Sequence, residues 1–120
     1  FVSRTEEQGT RDPAAYLAVP AAIEFQRDRA WDEVQARCRA LTLDARARLC
    51  AHLGTEPIAP DDMLVQMATV RLPAPDPGLK RRLFDEHRIE IPVLRGDDMI
   101  RVSVAAYTTP DEIDRLLAAL

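Results

Sequence analysis

The run Ile100-Arg101-Val102-Ser103-Val104-Ala105 places isoleucine and valine at every second position. Because successive side chains of a β-strand point to opposite faces, this alternation predicts a strand with Ile100, Val102 and Val104 directed into a core. Arg101 and Ser103 are then expected on the opposite face. There, a guanidinium on a stiff strand could bind a planar carboxylate, or it could simply be a solvated arginine on the outside of a sheet.

Two further segments are predicted to form strands beside this run. Residues 89–93 (IEIPV) alternate in the same way, and the turn residues 96–98 (GDD) predict an antiparallel connection to the Arg101 strand. Pro92 cannot donate a hydrogen bond to a sheet, so an edge position is expected for this strand. Residues 64–72 (LVQMATVRL) predict the third strand, which ends before Pro73.

Helices are predicted in the rest of the chain. Asp12-Pro13 is typical of a helix start and predicts a short turn near 13–18, followed by a second helix over about 20–28. From Trp31 to Leu53, apolar residues recur at steps of three and four, which predicts one long amphipathic helix that ends at Gly54 in the left-handed conformation.

Two shorter helices complete the predicted order. Asp76-Pro77 opens a helix with Leu79, Leu83 and Phe84 directed inward, and Thr109-Pro110-Asp111-Glu112 is a capping box for a final helix. The predicted fold class is therefore α+β, a small, mostly antiparallel three-stranded sheet with helices packed on one face.

Composition limits the possible classes of function. The 120 residues are 47% hydrophobic and 30% charged, which is typical of one globular domain. The net charge of −4 argues against nucleic acid or an anionic membrane as a partner, and no apolar run approaches the roughly 20 residues that span a bilayer. Since the chain opens without methionine or a signal-peptide pattern, we expect a processed product or a piece of a longer protein.

The two cysteines, Cys38 and Cys50, both fall in the long predicted helix. Their separation along it is about 18 Å, far too long for a disulfide. With only His52 and His87 as imidazoles, no zinc-binding spacing is present, and no metal site is expected. Both cysteines are predicted to be buried apolar residues of a reducing, cytoplasmic compartment.

Four stretches, in order, are similar to the C-terminal part of isopenicillin N epimerase-like proteins, in the class V aminotransferase group of fold type I pyridoxal-phosphate enzymes. They are 9–22 (GTRDPAAYLAVPAA), 67–73 (MATVRLP), 89–93 (IEIPV), and 101–103 (RVS) with Ala106-Tyr107 and the 109–120 helix. The resemblance implies that residues 1–12 connect to a large N-terminal domain and that 13–120 form the small C-terminal domain.

The resemblance also implies roles for three residues. Arg101 would bind the α-carboxylate of a small amino-acid substrate, and Thr10 would reach the cofactor phosphate of the neighbouring subunit in a homodimer. Gly9 would allow close backbone approach to that phosphate. Without the family, Gly9 and Thr10 could equally be ordinary turn residues. Thr108 departs from the family, which commonly has asparagine there.

The cofactor, pyridoxal 5'-phosphate, is expected in the full-length parent and not on this piece alone. The family carries its cofactor-bearing lysine upstream, whereas Lys80 is the only lysine here and is predicted on a solvated helix face. We therefore assign no catalytic residue, and we expect the piece alone to be inactive.

Three reactions stay open for the parent: epimerisation at Cα, carbon–sulfur or other β-lyase chemistry, and transamination. Related cysteine desulfurases carry a nucleophilic cysteine on the loop that corresponds to 72–78 (LPAPDPG), which has none. Persulfide-forming desulfuration is therefore disfavoured. The alternative from another class is a non-catalytic dimerisation or binding module, supported by the missing lysine.

Overall fold

In a computed structural model of the protein, residues 12–94 and 96–120 are described. The chain divides into two compact units, 1–31 and 32–120. The first contains helices α1 (Ala14–Leu17) and α2 (Val19–Asp28). The carboxylate of Asp12 accepts a hydrogen bond from Ala14 N at 2.9 Å, which confirms its predicted role at the start of α1.

The second unit contains the sheet and the larger helices. Helix α3 (Trp31–Leu53) begins at the last residue of the first unit and is followed by a short 3-10 helix at Asp61–Met63. Then come β1 (Met67–Arg71), α4 (Leu79–His87), β2 (Met99–Ser103) and α5 (Pro110–Ala119). The predicted boundary between residues 12 and 13 lies at the edge of the described part of the chain and stays a prediction.

Strands β1 and β2 pair antiparallel, with Thr69 opposite Arg101 and Val70 opposite Ile100. The prediction of three strands is wrong, because the described residues form a two-stranded sheet. Residues 89–93 contribute one isolated bridge, between Val93 and Ile100. Pro92 accepts a hydrogen bond from Arg101 N at 3.1 Å but has no N–H to return, so the ladder does not continue along this segment.

The hydrophobic core lies on one face of this sheet. The side chains predicted to point inward from the Arg101 strand, Ile100, Val102 and Val104, are all buried. The helices bring Leu49, Leu83 and Leu116 to the same core, together with apolar residues of β1. The α+β class is therefore confirmed, with a smaller sheet than predicted.

Helix α3 follows the prediction at its end and departs from it on its buried face. Gly54 has a φ of +64°, and Thr55 N donates to the Cys50 carbonyl at 3.0 Å, a helix-ending bond. Cys38 and Cys50 are buried free thiols, as predicted. However, Arg46 is also buried, because its Nη1 donates to the Ala59 carbonyl at 2.7 Å and its Nη2 pairs with Asp61.

Phe84 corrects another expectation. It was predicted to point inward from α4, but it is 48% exposed, and the guanidinium of Arg88 lies 5.7 Å from its ring centroid. A cation above an aromatic ring offsets part of the cost of exposing that ring. Leu79 and Leu83 are buried, as predicted.

The connection from β2 to α5 is held by two local motifs. Thr108 Oγ1 accepts a hydrogen bond from Ala105 N at 3.0 Å, and the predicted capping box is present, with Thr109 N donating to the Glu112 carboxylate at 2.9 Å. These bonds fix the first turn of α5 beside the end of β2. Among the described residues, no helix is both long and apolar enough to cross a membrane.

Candidate functional site

Arg101 lies at the centre of β2 and is held in place on both sides. Across the sheet it pairs with Thr69, and on the other side its N–H bonds to Pro92. Its side chain alternates with those of Ile100 and Val102, which are in the core, and it is half-buried. The prediction that Arg101 points away from the core therefore agrees with the burial pattern of β2.

Arg101 lines a groove of about 310 Å³, which we call the arginine groove. Its walls come from residues 88–92, from β2 and from α5. Buried apolar residues contribute to its lining, namely Ile91, Val102, Ile113 and Leu116. Ser103, two residues after Arg101 on the same strand face, also lines the groove. The groove thus combines apolar and polar residues in nearly equal numbers, six apolar and seven polar or charged.

The guanidinium of Arg101 has no ion-pair partner within the described part of the chain. Its Nε is buried and finds no hydrogen-bond acceptor there either. By contrast, Arg48 pairs with Asp114 and Arg82 with Asp76. An unsatisfied buried donor is costly, and an acceptor from a ligand would satisfy it. The charge of Arg101 therefore remains available to an incoming anion.

The ion pair between Arg82 and Asp76 lies outside the groove and stabilises the start of α4. A hydrogen bond from Arg82 lowers the pKa of the Asp76 carboxyl, and a further bond from Gly78 N, 3.0 Å from Asp76 Oδ1, acts in the same direction. The same pairing raises the pKa of Arg82. These contacts fix the first turn of α4, as the sequence Asp76-Pro77 predicts for a helix start.

The arginine groove also contains charged residues that the sequence analysis did not single out. Arg88, at the end of α4, and Arg115, on α5, line it together with Glu90 and Glu112. Nothing in their local sequence marks these arginines, because they come together only when α5 packs beside residues 88–92. Glu112 is already engaged in the capping box.

Lys80 lies outside the arginine groove. It is exposed on α4, as predicted, and lines a separate surface groove with Pro77, Phe84 and Asp85. The other predicted site residues, Gly9 and Thr10, lie outside the described residues. Within 12–94 and 96–120, no cluster of histidine, cysteine and acidic residues is suited to hold a metal ion.

Comparison with known proteins gives similarity over almost the whole chain. It is 40% identical over 121 residues to an isopenicillin N epimerase of Amycolatopsis lactamdurans, covering 96% of this chain, and 38% identical over 126 residues to one of Streptomyces clavuligerus, covering 98%. This is an isopenicillin N epimerase-like chain. The resemblance predicted from its four stretches is therefore confirmed.

A more distant relative is a probable L-cysteine desulfhydrase, chloroplastic, of Arabidopsis thaliana, 30% identical over 132 residues and 93% of this chain. No family model matches. The epimerase-like chain spans only 28% to 31% of the length of these three relatives. Most of what makes up those proteins therefore has no counterpart in the 120 residues.

Proposed function

We propose that this epimerase-like chain is the substrate-carboxylate-binding part of a pyridoxal-phosphate enzyme that acts on an amino acid or amino-acyl substrate. One observation carries the proposal: Arg101 is half-buried and unpaired among the described residues, and it lines an open groove from a strand that is fixed on both sides. An α-carboxylate would satisfy this guanidinium through two parallel hydrogen bonds.

The role of Arg101 is to orient the substrate. A bidentate pair fixes both the position and the plane of the carboxylate, and so limits rotation of the attached Cα. The apolar lining contributed by Val102 and Ile113 would exclude water from one side of the bound group. When bound, pyridoxal phosphate withdraws electrons from a bond at Cα; selecting which bond breaks is the contribution of Arg101.

The described residues fit the substrate end of such a site but not the attachment of the cofactor. Lys80, the only lysine, is exposed in a different groove from Arg101. We therefore propose that a large N-terminal domain of the same enzyme supplies the lysine. In a homodimer, the hydroxyl of Thr10 would bind the cofactor phosphate of the neighbouring subunit, and Gly9 would leave room for it.

Epimerisation at Cα is the reaction we favour, because the two relatives with the higher identity are named isopenicillin N epimerase. Carbon–sulfur lyase chemistry is the alternative, supported by the relative named a probable L-cysteine desulfhydrase. A persulfide route through this chain is disfavoured, because Cys38 and Cys50 are buried within α3.

The proposal can be tested from the ligand side. The full-length protein loaded with pyridoxal phosphate would be titrated with a series of α-amino acids and with the amines that have the same side chains but lack the carboxylate. We expect the amino acids to bind more tightly by about 2–3 kcal/mol, the contribution of a charge-assisted pair. Lys80→Gln, which removes an exposed cation outside the groove, should not change this difference. Equal affinity for acids and amines would refute the proposal.

A non-catalytic dimerisation or binding module is the second candidate, and one feature of the first unit favours it. Large apolar side chains of α1 and α2 are 45% to 73% exposed: Tyr16, Leu17, Val19, Ile23 and Phe25. Such a cluster is typical of a surface that contacts another polypeptide. The parent gene separates the candidates, since an upstream region encoding a lysine-bearing domain supports the enzyme and its absence supports the module.

A further inference from the structure

We propose that Arg88 and Arg115 form a second anion-binding position in the arginine groove, so that the preferred substrates carry a second acid group besides the α-carboxylate. The inference rests on the proposed function, because it assumes that Arg101 binds the first carboxylate. It adds the substrate class and two residues that determine specificity.

The first support is the charge balance of the groove. Three arginines, Arg88, Arg101 and Arg115, line it together with two glutamates, Glu90 and Glu112. Glu112 accepts a hydrogen bond from Thr109 N in the capping box, so its charge is partly engaged elsewhere. Within the described chain, none of the three arginines pairs with a carboxylate. An excess of unpaired guanidinium charge in a groove favours an anionic ligand.

The other described arginines of the second unit fall into two groups. Five of them form ion pairs with aspartates, namely Arg46, Arg48, Arg71, Arg81 and Arg82. Arg37 and Arg39 have no ion pair among the described residues and donate instead to backbone carbonyls, of Ala106 for Arg37 and of Leu64 and Asp61 for Arg39. The arginine groove differs from these sites because it brings three arginines without a carboxylate partner in the described chain to one place.

The second support is the backbone of Arg88. This residue ends α4 with φ 56° and ψ 35°, and the following Ile89 N donates to the Leu83 carbonyl at 3.0 Å. Glycine is the favoured residue at such a left-handed helix end, because a Cβ is strained there. An arginine keeps that strain and provides a long cationic side chain, whose guanidinium lies over the exposed ring of Phe84.

The third support is the anchoring of Arg115. Its Nη2 donates to the carbonyl of His87 at 3.3 Å, which joins α5 to the end of α4 beside Arg88. This contact uses one of the five donors of the guanidinium. The remaining donors have no partner among the residues described. A guanidinium held at one nitrogen loses less conformational entropy when it binds an anion than a fully mobile one does.

The test compares matched ligands on the full-length protein loaded with pyridoxal phosphate. Binding would be measured for aspartate with asparagine, glutamate with glutamine, and the next longer acid and amide, because each pair differs in charge but hardly in size. We expect at least one acid to bind about tenfold more tightly than its amide, and the preference to decrease as salt is added, since Arg88 and Arg115 are exposed.

The variants are Arg88→Gly, Arg115→Gln and, as the control, Lys80→Gln. Glycine suits the left-handed backbone at position 88, so this variant should fold at least as stably as the parent. Both groove variants should lose most of the acid preference and keep their affinity for the amides, while Arg115→Lys should restore part of it. The control, Lys80→Gln, removes an exposed charge from α4, the helix that ends at Arg88, and should keep the preference for the acid over its amide.

Three results would overturn the inference. They are equal affinity for every acid and its amide, an acid preference that survives in both groove variants, and loss of the cofactor from those variants, which would assign the arginines to its phosphate. In the first two cases amino acids would still bind more tightly than the corresponding amines, and the proposed function of Arg101 would stand. If that difference is absent as well, the proposed function itself has failed.

Discussion

Replacing Arg101 with lysine separates its role in binding from its role in folding. Lysine keeps the positive charge but presents one ammonium in place of a planar fork, so it cannot form two parallel hydrogen bonds to a carboxylate. We expect substrate binding by the full-length enzyme to weaken by about 2–4 kcal/mol, which is about thirtyfold to several hundredfold in Kd.

The same substitution should not destabilise the free protein. Arg101 Nε is a buried donor without an acceptor in the described residues, which costs about 1–3 kcal/mol, and lysine has no polar atom at that position. The thermal midpoint of the ligand-free protein should therefore be equal or higher, while the midpoint shift on adding substrate should be smaller.

Calorimetric titration and thermal unfolding on the same preparations would measure both effects. A variant Arg101→Lys that binds the substrate as tightly as the parent would exclude bidentate carboxylate binding by Arg101. Loss of stability in the ligand-free variant would also exclude this role, because the guanidinium would then be a structural group and not a receptor.

Four further predictions concern other residues. Gly54→Ala should lower the free energy of unfolding by about 1–2 kcal/mol, measured in denaturant, because the left-handed φ of +64° strains a residue with a Cβ. No steric clash adds to this, since no atom of the described residues lies within 4 Å of an added Cβ. Gly54→Asn should lower the free energy of unfolding less, because asparagine tolerates this conformation better. The pKa of Asp76 is lowered in the folded protein, so its charge stabilises the fold above the ordinary aspartate range, and this stabilisation is lost as pH falls through the folded-state pKa. The thermal midpoint of Asp76→Asn should therefore fall less steeply in acid than that of the parent. Thr10→Ala should weaken cofactor retention by about 1–2 kcal/mol, measured as cofactor occupancy after dialysis. Borohydride reduction of the loaded enzyme followed by peptide mapping should find the cofactor on a lysine other than Lys80.

Local sequence patterns predicted most of the helix ends and the inward face of β2. Gly54, the Thr109 capping box and the alternation around Arg101 depend on interactions within a few residues, which one sequence contains in full. The position of Arg101 in a groove could be anticipated only as a side chain pointing away from the core. Whether that face is a flat surface or a groove depends on what packs beside the strand.

Features that depend on distant neighbours were missed. The amphipathic pattern of α3 gives no sign that Arg46 is buried; it is buried because the Ala59 carbonyl and Asp61 bind its guanidinium. Arg88 and Arg115, 27 positions apart in the chain, are brought to one groove by helix packing. No periodic pattern in the sequence predicts that these two residues lie in the same groove.

The groove exists because residues 89–93 do not form the predicted third strand. Had residues 89–93 continued the ladder, they would have paired along β2 on the side of Arg101 that the groove now occupies. Pro92 accepts the N–H of Arg101 but donates nothing, and pairing is reduced to the bridge at Val93. The segment then leaves β2, and the space between it, β2 and α5 is the arginine groove. The same proline therefore fixes the backbone of Arg101 and leaves room for a ligand beside its side chain.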